Sequence, residues 1–437
     1  MTELLRATIF HTPRNPFQEN SALEAISDGG LLIESGRVQA CGNYAALRDT
    51  YPDVRTRDLR GGFLLPGFVD SHVHYPQLRI LGGLGYSLFD WLEKYTLPEE
   101  VKFAAPDYAE SVATEFTHAL VSHGTTTALV FGAHFVPATA ALFRAAENTG
   151  LRVISGLVIS DRHLRPELHT TPEAAYYENK QLISCLHGKG KLLYAVTPRF
   201  ALSSSEPLLE VCRTLLEEHP GVRLQTHINE NTAEIAETAR LYAWARDYLA
   251  VYEQFGLIGP RAVLAHSVHS AASEIERMAA AGCAVAHCPS SNAALGSGIF
   301  PMQHHLQAGV RFALGTDVGG GTGMGMLKEA LQAYLIQRLA GASGVALSPA
   351  HLLYLATRAG AEALGLQGEI GDFTPGKSAD FVYLKPPTDS PLAAVARHAL
   401  SADHLLAAII TLAGAESVRE TWISGVPVFR HADTGGN

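Results

Sequence analysis

Eight short apolar runs, each followed by a longer helix-like stretch, constrain the fold of this chain more than any other feature of its sequence. They are 63–74 (FLLPGFVDSHVH), 125–132 (TTTALVFG), 151–159 (LRVISGLVI), 191–200 (KLLYAVTPRF), 222–230 (VRLQTHINE), 262–269 (AVLAHSVH), 283–292 (CAVAHCPSSN) and 310–321 (VRFALGTDVGGG). Most are continuously apolar rather than alternating, as strands of a parallel sheet covered by helices must be. The segments between them suit helices. Residues 203–219 open with Ser and Glu at capping-box spacing, 231–249 carry a helical period, and 270–282 close on Gly282. Eight strands alternating with helices over about 250 residues is the size of a (β/α)8 barrel, although a doubly wound open sheet satisfies the same count.

The two ends read differently. Residues 29–43, 380–385 and 419–429 are short strand-like runs with glycine or Ser-Gly turns. Neither end is long enough for a stable sheet of its own. The expectation is therefore an α/β chain: a (β/α)8 TIM barrel over 66–374, and a small β-sandwich domain composed of the N- and C-terminal segments 1–65 and 375–437.

Composition narrows the function classes. The chain has 437 residues, 47% hydrophobic and 17% charged, which is enough to bury a large core. A formal net charge of −10 with no basic run argues against a nucleic-acid partner. No basic N-terminal region precedes an apolar stretch, and no 18-residue apolar run occurs, so neither a secretory signal nor a membrane span is expected. Five scattered cysteines (Cys41, Cys185, Cys212, Cys283, Cys288) make no disulfide framework and suit a reducing cytoplasm.

The chemistry is concentrated at the ends of these runs. In Asp70-Ser71-His72-Val73-His74 the two histidines are two apart in a strand, so they share a side and can reach one metal ion. Such a pair alone is equally two polar residues at a strand end. Its company changes the balance: His227 ends the fifth run, His266 the sixth and Asp317 the eighth. In a barrel these ends form the C-terminal face, where active sites are built. Four histidines and a carboxylate without a thiolate suit a catalytic Zn2+, with iron or another divalent ion the less favoured occupant.

The motifs PGFVDSHVH, THINE, AHSVH and GTDVG resemble the metal-dependent amidohydrolase superfamily. Further segments, HYPQ (74–77), TPRF (197–200), CPSSN (288–292) and LGSGIF (295–300), make the chain similar to its guanine deaminase family. The likeness covers nearly the whole chain, including GDFTPGKSADFVYL (371–384). It implies one Zn2+ per subunit held by His72, His74, His227 and Asp317, with a place left for water whose pKa the metal would lower. Asp317 would also take a proton from that water. Glu230, three residues after His227, would shuttle protons to the ring nitrogen and the departing amine; read alone, it is equally a glutamate at a helix N-terminus. His266 would support the nucleophile and the developing charge.

The resemblance also implies a substrate site for guanine. Gln77 and Arg199 would hydrogen-bond the purine, and Phe200 would pack on it, with His227 and His269 as further contacts. Read without the family, Arg199 is a strand-end salt bridge, Phe200 plain core and His269 an ordinary loop residue. A homodimer is implied as well. The connection 75–120, glycine-rich and then aromatic, suits a lid or an extra surface helix. One departure stands out. After GTDVGGG this chain reads TGMGM (322–326), where the family has a hydroxyl residue and an aromatic, so a looser wall beside Asp317 is expected.

The same residues admit other functions. The same metal chemistry would serve an 8-oxoguanine, pterin or triazine hydrolase, and a barrel that had lost its chemistry would serve as a scaffold. The deaminases that bind zinc through His-x-Glu and Pro-Cys-x-x-Cys are excluded, because neither motif occurs.

Overall fold

The computed structural model describes residues 2–431. Its centre is a ring of parallel strands in sequence order: Phe68–His74, Thr125–Phe131, Arg152–Ser155, Leu192–Pro198, Arg223–Ile228, Ala262–His266, Ala284–His287 and Arg311–Leu314. A short extension, Val158–Ile159, continues the third and pairs with the fourth. The first and last strands share no ladder among the described residues. Ser71 Oγ instead donates to the carbonyl oxygen of Leu314 at 2.8 Å, and Thr316 N donates to Asp70 Oδ1 at 3.0 Å. All eight expected barrel strands are present, and the open-sheet alternative falls because the ends meet.

The run 63–74, read as one strand, is two. Thr56–Pro66 belongs to the terminal sheet and Phe68–His74 to the barrel. Gly67 is the pivot: its N–H bonds to Asp380 O at 3.0 Å, and a Cβ there would lie 2.2 Å from Thr126 Oγ1. Only glycine passes so close to the second barrel strand.

The terminal segments form one seven-stranded mixed sheet. Its order is Val426–Arg430, Val418–Ile423, Phe381–Leu384, Thr56–Pro66, Thr2–His11, Glu24–Glu34, Arg37–Asn43. Only Thr2–His11 and Thr56–Pro66 pair in parallel. The sheet curls until its two end hairpins touch: Ala379 N donates to Gly36 O at 2.9 Å, and a Cβ on Gly36 would sit 2.5 Å from Ser424 O. Leu5, Ile9, Leu31, Val38, Phe381 and Trp422 fill the inside of the curl. Between its C-terminal strands, the helices Pro391–His398 and Ala402–Leu412 leave the sheet; the second packs on the barrel helices Met326–Leu339 and Pro349–Ala356.

Local chemistry explains the helix boundaries. Ser205 caps Glu206–Glu218 by accepting from Leu208 N, and Gly282 ends Ala272–Ala281 with φ 74°. The single helix expected over 231–249 is two, Thr232–Leu241 and Tyr248–Gln254. Asp247 starts the second by accepting from Ala250 N, so the chain turns before it. No helix among the described residues is long and apolar enough to cross a membrane. The five cysteines are free thiols, and Cys283 and Cys288 are buried at either end of the seventh barrel strand.

Candidate active site

Four donor atoms meet at the C-terminal mouth of the barrel. His72 Nε2 and His74 Nε2 lie 3.1 Å apart, and His74 Nε2 and His227 Nε2 lie 3.3 Å apart. Asp317 Oδ1 is 3.3 Å from His72 Nε2 and 3.2 Å from His74 Nε2. All four residues are buried, and one donor atom from each lies within 4.8 Å of the others. Donors placed tetrahedrally at roughly 2.0–2.1 Å from a common centre are about 3.3–3.4 Å apart. The spacing therefore fits a small divalent ion, and three imidazoles with one carboxylate are a donor set that suits zinc.

The surrounding shell orients these donors. His227 Nδ1 donates to the carbonyl oxygen of Arg199 at 2.7 Å, which leaves the Nε2 lone pair facing the cluster. His266 Nδ1 likewise donates to Asn292 Oδ1 at 3.0 Å, and its Nε2 lies 3.6 Å from Glu230 Oε2 and 3.9 Å from Asp317 Oδ2. Phe131 packs on three of the imidazoles, with ring centroids 5.5 Å from His72 and 4.6 Å from both His74 and His227.

Burial sets the protonation states. It lowers His72 and His227 and brings His74 to about 4, so these rings are neutral, as ligands must be. Burial also opposes the charge on Asp317, but its contacts with His72 and His74 outweigh that and hold it well below the usual carboxylate range. At Glu230 the help from Ser297 and Arg199 does not offset burial. Burial, helped by the charge of Asp317, pushes it up to about 8. Two nearby carboxylates thus sit on opposite sides of neutrality, a pattern typical of acid/base sites.

Backbone strain is concentrated here. Four of the seven non-glycine residues with positive φ among those described are Asn229 (48°), His266 (75°), Ser267 (52°) and Asp317 (45°). Each costs roughly 1–3 kcal/mol and persists only where its surroundings hold it. Asp317 is held by N–H donation to His72 O at 2.8 Å. Gly319 then lets the loop pass Gln77, where a Cβ would come within 2.8 Å of the Gln77 Cβ.

Most of the expected site residues converge. His74, Gln77, Arg199, Phe200, His227, Glu230, His266 and Asp317 line one cavity, roofed by Leu88, Trp91 and Leu92 and walled by Leu295. The expected lid segment thus supplies the roof, as the helix Leu88–Trp91 and the π-helical turn Leu92–Thr96. His269 is not brought in: its ring is exposed and its Nε2 donates to Ser297 O at 2.7 Å. The looser wall expected from 322–326 is also absent from the cavity. Gly321 N turns back to Asp317 O at 2.6 Å, and Gly323, Met324 and Gly325 face a different crevice beside Phe68 and His123.

Three neighbours escaped the sequence reading. Asn292 lies inside the CPSSN motif and was available as a signal. Phe131 stands at the end of the second run and reads there as core. Glu100 gave no signal, being one of two adjacent glutamates on a short helix, yet both its oxygens accept from Arg199 Nη1, at 2.8 and 2.6 Å.

Comparison with known proteins agrees with this geometry. The amidohydrolase family model matches residues 63–428. A probable guanine deaminase of Deinococcus radiodurans is 55% identical over 432 residues, which is 98% of this chain and 98% of the relative. The structure of Escherichia coli guanine deaminase superposes with a TM-score of 0.93 at 39% identity, covering 99% of each chain. A guanine deaminase from C. acetobutylicum, solved with guanine in its active site, superposes at 0.90 with 25% identity, covering 98% of this chain and 100% of its own.

Proposed function

The chain belongs to the amidohydrolase family, and from that premise we propose that it hydrolyses guanine to xanthine and ammonia. The observation that carries this reading is the buried His72–His74–His227–Asp317 donor set beside one cavity that Glu230, Gln77 and Arg199 also line.

His72, His74, His227 and Asp317 would hold one Zn2+ per subunit, which supplies Lewis-acid activation of a water at neutral pH. The protein's own groups do the rest. Arg199 and Gln77 orient the ring under Phe200 and the roof, which excludes bulk water. Asp317 Oδ2, the oxygen turned toward His266, accepts a proton from the attacking water. Glu230, protonated near neutrality, gives its proton to the ring nitrogen beside the amine-bearing carbon, takes the second proton of the attacking oxygen and passes it to the amine, which leaves as ammonia; the proton held by Asp317 then restores Glu230. His266, with Nδ1 committed to Asn292, presents its Nε2 lone pair to the attacking water, accepting from its O–H and orienting it.

The test is ultraviolet spectroscopy of purified protein with guanine, 8-oxoguanine, adenine and pterin. Conversion of guanine to xanthine in preference to the others is expected. Preference for another heterocycle would overturn the substrate and leave the metal chemistry standing. The same reading takes the enzyme to be a cytoplasmic homodimer, which sedimentation and cell fractionation would check.

A further inference from the structure

We propose that Glu100 is the positioning residue of the recognition pocket, clamping one nitrogen of Arg199 and the amide of Gln77 so that their remaining polar atoms face the substrate ring. The proposal rests on the guanine reading.

Glu100 sits on the helix Leu97–Val101, which continues directly from the π-helical turn under the roof. It is 3% exposed and gathers groups from three barrel loops. Its two oxygens accept from Arg199 Nη1 at 2.8 and 2.6 Å, beyond the fourth strand. Oε1 also accepts from Gln77 Nε2 at 3.2 Å, beyond the first. Oε2 lies 3.3 Å from His134 Nε2, beyond the second, close enough for attraction but not aligned as a hydrogen bond. Burial alone would raise this carboxyl, and the charge of Arg199 holds it ionised.

The consequence is directional. With Nη1 committed to Glu100, Nε and Nη2 of Arg199 donate to no group among the described residues, while the residue lines the cavity. With one amide N–H given to Glu100, Gln77 has an amide oxygen that accepts nothing from the described residues. The pocket thereby offers donors beside an acceptor. That pairing complements a ring carbonyl next to a ring N–H, the edge guanine carries and adenine lacks. A neutral side chain at position 100 would leave Arg199 an unpaired buried charge and let the Gln77 amide turn over.

A glutamate that merely stabilised the fold would change melting temperature and active fraction, leaving KM alone. The test measures kcat and KM for guanine, zinc content and melting temperature in the unmodified enzyme, Glu100→Gln, Arg199→Met and the double variant. Glu100→Gln is expected to raise KM about 10–100-fold with zinc retained. In the Arg199→Met background the same change should add less than about threefold, because its main partner is gone. Equal increases in both backgrounds, or an unchanged KM, would make Glu100 structural only. If Glu100→Gln does not fold, Glu100→Asp decides: it keeps the charge, shortens the reach and should raise KM by a smaller factor, and an unchanged KM overturns the proposal. An unmodified protein that leaves guanine untouched overturns the substrate reading, and the proposal with it.

Discussion

The backbone N–H of Asp317 donates to the carbonyl oxygen of His72 at 2.8 Å, and the Asp317 carboxylate lies 3.3 Å from the same residue's Nε2. One residue of the eighth strand's loop is thus tied twice to the first strand. This closes the barrel where no ladder does, and it explains why Asp317 tolerates a φ of 45°. Closure of the barrel and assembly of the donor set are the same event.

Removing one donor should therefore empty the site. His72→Ala is expected to bring bound zinc from near one per chain to a small fraction, with guanine turnover lost. Elemental analysis after dialysis checks this. Full occupancy in the variant would show that His72 is not a ligand.

Glu230→Gln should separate chemistry from metal binding. The side chain keeps its size but cannot shuttle a proton, so kcat should fall about 10²–10⁴-fold with zinc content unchanged. Loss of zinc in this variant would place Glu230 among the ligands instead.

Asn292→Ala frees His266 Nδ1 and with it the choice of tautomer. We expect kcat to fall about 10–100-fold, with KM for guanine little changed and zinc retained. An unchanged kcat would mean that the ring is oriented by packing alone.

Phe131 is fully buried and buttresses three imidazoles. Phe131→Ala should lower stability by about 3–5 kcal/mol, as large-to-small core changes do. Zinc affinity should weaken with it, since the rings lose their backing. Chemical denaturation and competitive chelation measure the two effects separately.

Glu329 gives stability a pH dependence. Burial pushes its carboxyl up to about 8, although Ser290 donates to it through N and Oγ at 3.1 and 2.7 Å. Between roughly pH 4.5 and 8 the unfolded chain has released this proton while the folded chain keeps it. The folded state binds more protons there, so this group's contribution to stability falls as pH rises through that window and is gone above it. Glu329→Gln removes that dependence. Its melting temperature should fall less than the parent's between pH 6 and pH 8.5, and parallel curves would show that Glu329 ionises normally.

Much of this was legible in advance because it rests on local physics. Continuous apolar runs must be doubly covered strands, and residues two apart on a strand share a side, so His72 and His74 could be paired before any fold was known. Gly282 and Ser205 announced helix ends by cap chemistry that depends on a few neighbours. The run 63–74 misled for the same local reason: Pro66-Gly67 is apolar enough to sit in one strand pattern, and only the contact with Thr126 reveals a pivot. His269 shows the opposite error, since nearness in sequence to His266 did not bring it to the cavity once the chain turned at Ser267.

The sequence alone determined which residue types end the barrel strands, and hence that a nitrogen- and oxygen-rich donor set stands at one mouth. Strand periodicity and chain order suffice for that. Tertiary structure decided the distances among donors, the tautomers set by Arg199 O and Asn292 Oδ1, and the union of Glu100 with Arg199 across 99 residues. Those depend on how loops close over a finished barrel. A buried carboxylate among many glutamates acquires its meaning only when burial strips its water and leaves a guanidinium and an amide to replace it.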